Sequence, residues 1–455
     1  MLYKAAKKKV HFVGIGGIGM SGIAEVLLSQ KYEVSGSDIA ESEITKNLAA
    51  HGARVFYGHR EENIDKADVV VISSAVRETN PEVVAAKKRN IPIIPRAEML
   101  GELMRMKTGI AIAGTHGKTT TTSMIATVAS SAGLDPTIII GGRVDALGGN
   151  ARLGQGELLI AEADESDKSF LCLPATLGVV TNIDNDHLDH YGDFEKLKDA
   201  FVDFINKIPF YGLAALCVDD PNVRSILPRL KKPFMTYGFS PQASLQPRNL
   251  RVQGFASTFE VWREGKNLGE VTCGIPGEHM VLNALACVAV CLELGVSFAE
   301  IQKGFLKFKG VKRRFEIKGE KNKITFVDDY AHHPTEIKAT LKGLRANWKG
   351  RIITVFQPHR YSRTRDCYQQ FVSAFDDTDQ LFVADIYAAG EEPINGITAE
   401  MLAADIQAHG HRAVAYVGNI ERAIQQVPGS LKAGDLLITL GAGNVYRVGE
   451  GILKG

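Results

Sequence analysis

Three α/β domains in one chain are what the sequence predicts, on three observations. Its 455 residues exceed what a single hydrophobic core holds and fit two to four domains. Short β-branched runs alternate with helical segments through most of the length, the pattern of parallel sheets covered by helices. Two glycine-rich turns, around Gly14 and Gly114, each stand between such a run and a helix.

Composition supports this class and removes others. The chain is 45% apolar and 23% charged, as soluble globular proteins are, and its formal net charge is +1. No global field favours nucleic acid or an anionic membrane, so any phosphate binding must be local. Cys172, Cys217, Cys273, Cys287, Cys291 and Cys367 show no C-x-x-C spacing and read as reduced core residues of a cytoplasmic protein. The start, MLYKAAKKKVHFVGIGGIGM, imitates a signal peptide, but its apolar part is broken by glycines and reads better as a first strand. No uncharged apolar run is long enough to span a bilayer.

The first hundred residues carry the strands KVHFVG, YEVSGSD, ARVFYG, DVVVISSA and IPIIP, one nucleotide-fold-sized unit. A second series starts at Thr108 with GIAIAGT, PTIIIGG, ELLIAEAD, LGVVTNI and LAALCVD. Residues 245–273 lose the helical alternation and read as β-hairpins, and a helix over Val281 to Leu294 follows. The third series is ITFVDDY, RIITVFQ, QLFVADIY, AVAYVG and DLLITLGAG. Seams near 106 and 300 give domains over 1–106, 107–300 and 301–455.

VHFVGIGGIGM sets Gly14, Gly16 and Gly19 in a complete G-x-G-x-x-G between strand and helix, and Asp38 ends the second strand. This is the context of a dinucleotide fingerprint, with helix-start amides for pyrophosphate and an acid for a ribose hydroxyl. Any tight strand-to-helix turn also favours glycine. Amides at a helix start recognise a diphosphate and not nicotinamide, so a UDP-sugar fits the cradle as well as NAD does.

GTHGKTT, Gly114 to Thr120, is a phosphate loop two residues short: G-x-x-x-x-G-K-[ST] would need a glycine where Ile112 stands. It keeps Lys118 and Thr119 at the helix start, where amides and dipole hold phosphate, lysine neutralises oxygens and the hydroxyl reaches Mg²⁺. Such a site needs an acid on a neighbouring strand end. ELLIAEADESD offers Glu162, Asp164, Glu165 and Asp167, and TNIDNDHLDHYG offers Asp186, His187, Asp189 and His190. Each of these also suits an ordinary solvated loop.

GTHGKTT, EADESD and TNIDNDHLDHYG, followed in order by PGEHMVLNALA, GVKRRFE, DDYAHHPTE and FQPHRYSRTRD, resemble the Mur ligases of bacterial peptidoglycan synthesis over essentially the whole chain. The resemblance implies a Rossmann-like N-terminal domain for a UDP-sugar, a central P-loop-type ATPase domain with a mixed sheet, and a Rossmann-like C-terminal domain for the amino acid. It assigns the UDP-sugar to Gly14, Ile15, Gly16, Gly17, Ile18, Gly19, Met20, Asp38, Ser73, Ser74 and His116. It assigns ATP to Gly114, Thr115, His116, Gly117, Lys118, Thr119 and Thr120, with Asn283, Arg314 and Asp329. Thr119, Glu162 and His187 become the ligands of Mg²⁺ or Mn²⁺. Tyr330, His332, His333, His359, Arg360 and Arg363 surround the amino acid, whose carboxylate calls for arginine.

The activity so implied joins L-alanine to the lactyl carboxylate of UDP-N-acetylmuramate, at the expense of ATP, through an acyl phosphate. Lys118, Arg314, His187 and His333 are its expected catalytic residues, with either histidine open as acceptor of the amine proton. A monomer or weak homodimer without nucleic-acid or membrane partners is expected. Three alternatives remain at this point: a ligase attaching a recycled murein peptide to the same UDP-sugar, an NAD-dependent dehydrogenase using only the first glycine loop, and an ATP-driven switch or binding module that hydrolyses ATP without either substrate.

Overall fold

A computed structural model describes residues 9–73, 75–144, 149–166, 168–186 and 191–455. The first five strands are β1 (Lys9–Val13), β2 (Glu33–Asp38), β3 (Arg54–Tyr57), β4 (Val69–Ile72) and β5 (Ile93–Pro95), all parallel in the order β3-β2-β1-β4-β5. Helix α1 (Ile18–Ser29) buries Ile23, Ala24, Val26 and Leu27. Gly36 of β2 lets Ile15 pack, because a Cβ there would lie 2.6 Å from the Ile15 side chain.

The second sheet has ten strands: β6 (Thr108–Ala113), β7 (Thr137–Val144), β8 (Gly149–Arg152), β9 (Leu158–Glu162), β10 (Leu177–Val180), β11 (Leu213–Cys217), β12 (Phe234–Tyr237), β13 (Leu245–Gln253), β14 (Ala256–Arg263) and β15 (Lys266–Cys273). Their order is β15-β14-β13-β12-β11-β10-β6-β9-β7-β8. The sheet is mixed, since β7 and β8 run antiparallel while β6 is flanked by parallel β9 and β10. Helix α2 (Lys118–Ser131) follows β6, and Gly304 lets the helix Phe298–Lys307 approach it: a Cβ at Gly304 would be 2.8 Å from the Val128 Cα.

A third, six-stranded sheet holds β16 (Glu316–Lys321), β17 (Ile324–Asp329), β18 (Ile352–Phe356), β19 (Gln380–Ala384), β20 (Val414–Gly418) and β21 (Leu436–Leu440) in the order β16-β17-β21-β18-β19-β20. Only β16 is antiparallel to its neighbour. Phe326, Ile353, Val355, Phe382, Val417 and Leu437 form its core.

By compactness the chain divides into two units: Met1–Arg248 with Glu260–Gly269 and Leu282–Phe308, and Asn249–Phe259 with Glu270–Val281 and Lys309–Gly455. The first unit contains the N-terminal sheet and the central sheet except for parts of β13, β14 and β15, because one apolar cluster joins them. It runs from Val10 and Phe12 through Met99, Leu100, Leu103 and Met104 to Phe170, Phe201 and Phe204. Gly22 of α1 also approaches β8, where a Cβ would come within 2.9 Å of the Ala151 methyl.

Two sequence expectations need correction. Five of the six cysteines are buried as expected, but Cys172 is exposed, at the end of the short 3₁₀ turn Ser169–Cys172. Strands β8, β12 and β16 were not foreseen. Among the described residues, no helix is long and apolar enough to cross a membrane.

Candidate active site

The first glycine loop is braced by the end of β2. Gly14 takes φ +80°, a conformation glycine adopts without strain, and the N–H groups of Gly14 and Ile15 both donate to the Ser37 carbonyl, at 2.8 and 3.0 Å. The Gly16 N–H donates to Asp38 Oδ2 at 2.7 Å, and a Cβ on Gly16 would collide with that oxygen. Asp38 therefore holds the turn shut from within, in addition to any ligand it meets. Gly17 caps α1, Met20 is buried in the helix's first turn, and the Gly19 Cα faces the Arg96 guanidinium. Ser73 follows β4; Ser74 and the Ile18 side chain lie outside what is described.

The second loop is tighter. Gly114 and Gly117 have φ +126° and +84°, and Gly117 caps α2, so Lys118 and Thr119 open the helix. The Lys118 ammonium donates to the Gly114 carbonyl at 2.7 Å, the Thr115 carbonyl at 3.1 Å and both Glu165 oxygens at 3.0 and 2.8 Å. Burial opposes its charge, but Glu165, Asp164 and Glu162 outweigh that and raise the Lys118 pKa. The parallel register Ile112↔Glu162 brings these acids beside the loop.

From the other side the loop is strapped by the segment after β10. Thr115 N–H donates to the Asn182 carbonyl, His116 N–H to Asn182 Oδ1, and Asp184 N–H to Thr115 Oγ1, at 3.1, 2.8 and 2.9 Å. Thr181 Oγ1 and Asn182 Nδ2 donate to the His116 carbonyl at 2.6 and 3.0 Å, and the His116 ring meets Asp184 at 2.9 Å. Asn283 stands over Gly117: a Cβ there would fall 2.7 Å from Asn283 Oδ1. Thr120 is buried, while Thr119 and Glu162 are half-buried. Their hydroxyl and carboxylate are hard oxygen donors, the set Mg²⁺ takes. Asp167, His187, Asp189 and His190 lie outside the described residues.

In the second compact unit, β17 ends in Asp329, whose Oδ1 accepts from Ala331 N–H at 3.0 Å and whose Oδ2 accepts from Thr340 Oγ1 at 3.0 Å. Burial pushes this carboxyl up to about 6, against the pull of Arg314. Arg314 lies 4.9 Å above the Tyr330 ring and 3.5 Å from Glu336 Oε1. Glu336 Oε2 accepts from the His332 and His333 N–H groups, closing the start of the helix Pro334–Arg345. His333 is fully buried: Nδ1 accepts from Thr335 N–H at 3.4 Å and Nε2 lies 3.6 Å from Cys367 Sγ.

His332 packs edge-on to Tyr330 and His359, and His359 stacks on Tyr387. Burial drives His332 down to about 3 over the attraction of Glu336, and burial with Arg363 and Arg360 holds His359 down to about 4. Both rings are neutral at physiological pH. Arg363 Nη1 donates to His359 Nδ1 at 3.4 Å. Arg360 precedes the short helix Tyr361–Asp366 at φ +69°, a sparsely populated conformation for arginine. That helix start is tied to Glu391, which accepts from Ser362 N–H and Oγ–H at 3.0 and 2.6 Å.

Thus the predicted residues gather into three sites: Gly14–Asp38, Gly114–Thr120 with Glu162 and Asn283, and Arg314–Asp329–Tyr330 with His332, His359, Arg360 and Arg363. Sequence reasoning missed Glu165 as the lysine partner, Asn182 and Asp184 as the loop strap, and Glu336, Tyr387 and Glu391 in the third site. Glu165, Asn182, Asp184 and Glu336 stood inside motifs already singled out, and Tyr387 ends the strand run QLFVADIY; Glu391 had no local signal.

A strand, a glycine turn and a helix opened by Lys-Thr, with acids on the adjacent strand end, place the molecule among the P-loop-type nucleotide-binding proteins. The chain belongs to the Mur ligase family. It matches the family's catalytic domain over residues 9–108, its middle domain over 112–291 and its glutamate ligase domain over 313–443. UDP-N-acetylmuramate--L-alanine ligases of Pelobacter propionicus and Myxococcus xanthus are 59% and 53% identical to it, with 98% of this chain and 97% and 94% of theirs covered. The crystal structure of UDP-N-acetylmuramate-alanine ligase from Thermotoga maritima is 29% identical, covers 98% of both chains and superposes with a TM-score of 0.81.

Proposed function

We propose that this chain is an ATP-dependent ligase that joins L-alanine to the lactyl carboxylate of UDP-N-acetylmuramate in peptidoglycan precursor synthesis. The observation that carries it is the Lys118 loop, built for triphosphate, in a chain 59% identical over almost its full length to a ligase of that name. Domains over 1–106, 107–300 and 301–455 serve the UDP-sugar, ATP and the amino acid. The enzyme works in the cytoplasm as a monomer or weak homodimer.

An amide cannot form from a carboxylate at neutral pH without a better leaving group than hydroxide. The lactyl carboxylate attacks the γ-phosphorus, ADP leaves, and an acyl phosphate results. The alanine amine attacks the acyl carbon, loses a proton, and the tetrahedral intermediate expels inorganic phosphate. Lys118 stabilises charge on the phosphoryl oxygens, and Arg314 serves the γ-phosphate. Thr119 and Glu162, with His187, hold Mg²⁺, which when bound neutralises phosphate charge. Arg360 and Arg363 clamp the alanine carboxylate. With pKa values of about 3 and 4, His332 and His359 are poor acceptors for an ammonium proton and act as neutral hydrogen-bonding groups.

ADP release measured with UDP-N-acetylmuramate and a panel of amino acids and peptides tests this. Release should require the sugar nucleotide and be greatest with L-alanine. Equal release without the sugar nucleotide, or a preference for a peptide, would overturn it. Lys118→Ala should abolish ADP formation and leave UDP-sugar binding measurable.

A further inference from the structure

We propose that Glu82 is a positioning residue for the first glycine loop, acting through Ser37 to hold that loop ready for the diphosphate of the sugar nucleotide. This rests on the function proposed above. Glu82 lies in the first turn of the helix Pro81–Lys88, and its side chain is completely buried beneath β2. Oε2 accepts from Ser37 Oγ–H at 2.6 Å and faces His59 Nδ1 at 3.2 Å. Oε1 accepts from Asn63 Nδ2 at 2.6 Å and lies 3.7 Å from Nε2 of the buried His11, whose Nδ1 meets Ser35 Oγ at 2.9 Å.

A buried carboxylate is costly unless surrounded by donors, and here each oxygen has one, Ser37 for Oε2 and Asn63 for Oε1. Burial alone would raise the Glu82 pKa, but the nearby His11 ring and the hydrogen bonds from Ser37 and Asn63 bring it down to about 2. Bonds to an ionised acceptor are short and directional. What they fix is Ser37, and Ser37 is the residue whose carbonyl takes the Gly14 and Ile15 N–H groups. Its neighbour Asp38 takes the Gly16 N–H. One buried charge therefore sets the position of three consecutive loop amides. A general role in the core would not require the chain of contacts to end on that turn.

The test is steady-state kinetics with UDP-N-acetylmuramate, ATP and L-alanine on the full chain, alongside thermal melting. Glu82→Gln keeps the shape but replaces one acceptor oxygen with an NH₂ group. The KM for UDP-N-acetylmuramate should rise about tenfold or more, with kcat and the KM for ATP changing by about twofold at most. Ser37→Ala should do the same, and the double variant should be no worse than either single one, since both cut one path. If Glu82→Gln does not fold, Ser37→Ala decides alone. An unchanged KM for the sugar nucleotide in a folded variant, or equal losses for both nucleotides, overturns the positioning role. A wild-type protein that does not use UDP-N-acetylmuramate overturns the proposed function itself, a different result.

Discussion

Lys118→Ala should cost stability as well as activity, and the two losses should be separable. The ammonium contacts both oxygens of Glu165, at 3.0 and 2.8 Å, and Glu165 is 1% exposed against 16% for the lysine. Removing one partner of a buried pair strands the other charge and costs about 3–5 kcal/mol. Here Asp164 and Glu162 add like charge, while the lysine's partial exposure lets water in, so a cost near the lower end, about 3 kcal/mol, is expected. At about 2.1 cal/mol/K of unfolding entropy per residue, for 455 residues unfolding together that is a fall in Tm of about 3 °C. Adding Glu165→Gln removes the stranded charge and should restore most of the Tm. ADP formation should stay lost, because the phosphate-binding cation is still missing. Circular dichroism melts and coupled ADP release on the two single variants and the double variant measure both. A Lys118→Ala protein melting within about 1 °C of wild type, or a double variant as unstable as Lys118→Ala, would refute the reasoning.

Three further outcomes are expected. Gly114→Ala forces φ +126° on alanine and puts a Cβ 2.1 Å from Thr181 Oγ1, breaking its bond to His116; the KM for ATP should rise about tenfold or more. Asp329 is protonated more readily folded than unfolded, so its favourable contribution is complete below the ordinary carboxyl range and disappears as pH rises through about 6. Asp329→Asn should accordingly be the more stable protein at pH 7.5 in urea titrations, by at most about 3 kcal/mol, with the difference gone below about pH 4. His332 and His359, at about 3 and 4, should show flat ring-proton shifts by NMR from pH 8 down to about 5; an inflection near 6.5 in either would contradict their buried placement.

The elements most legible in the sequence were those whose burial is two-sided. β6, β10, β18 and β21 are apolar but for single threonines in three of them and are bounded by glycine or polar turns, so their runs stand out. Edge strand β16, EIKGEK, has almost no apolar residues and half-exposed positions, so nothing local marks it. The same division holds in the site. Gly14, Gly114, Gly117 and Lys118 were legible because each does its work within one strand–turn–helix unit. Glu165 meets Lys118 across 47 residues, by a strand register that no window of sequence contains. Asp38 was legible as an important acid, but its bond to Gly16 depends on how β2 ends relative to β1.

The strap from Thr181, Asn182 and Asp184 onto Thr115 and His116 bears on how strongly a nucleotide can bind. Fixing the backbone of a mobile residue costs about 1–2 kcal/mol. Thr115 and His116 are already immobilised by the segment after β10, so little of that entropy is left to lose when phosphates arrive. The loop is preorganised, and the interaction energy of the phosphates with α2 and Lys118 is spared the ordering of its own cradle. A shortened phosphate loop can thus do without the arch of its longer counterparts, because rigidity that they draw from length is supplied here by the segment that follows β10.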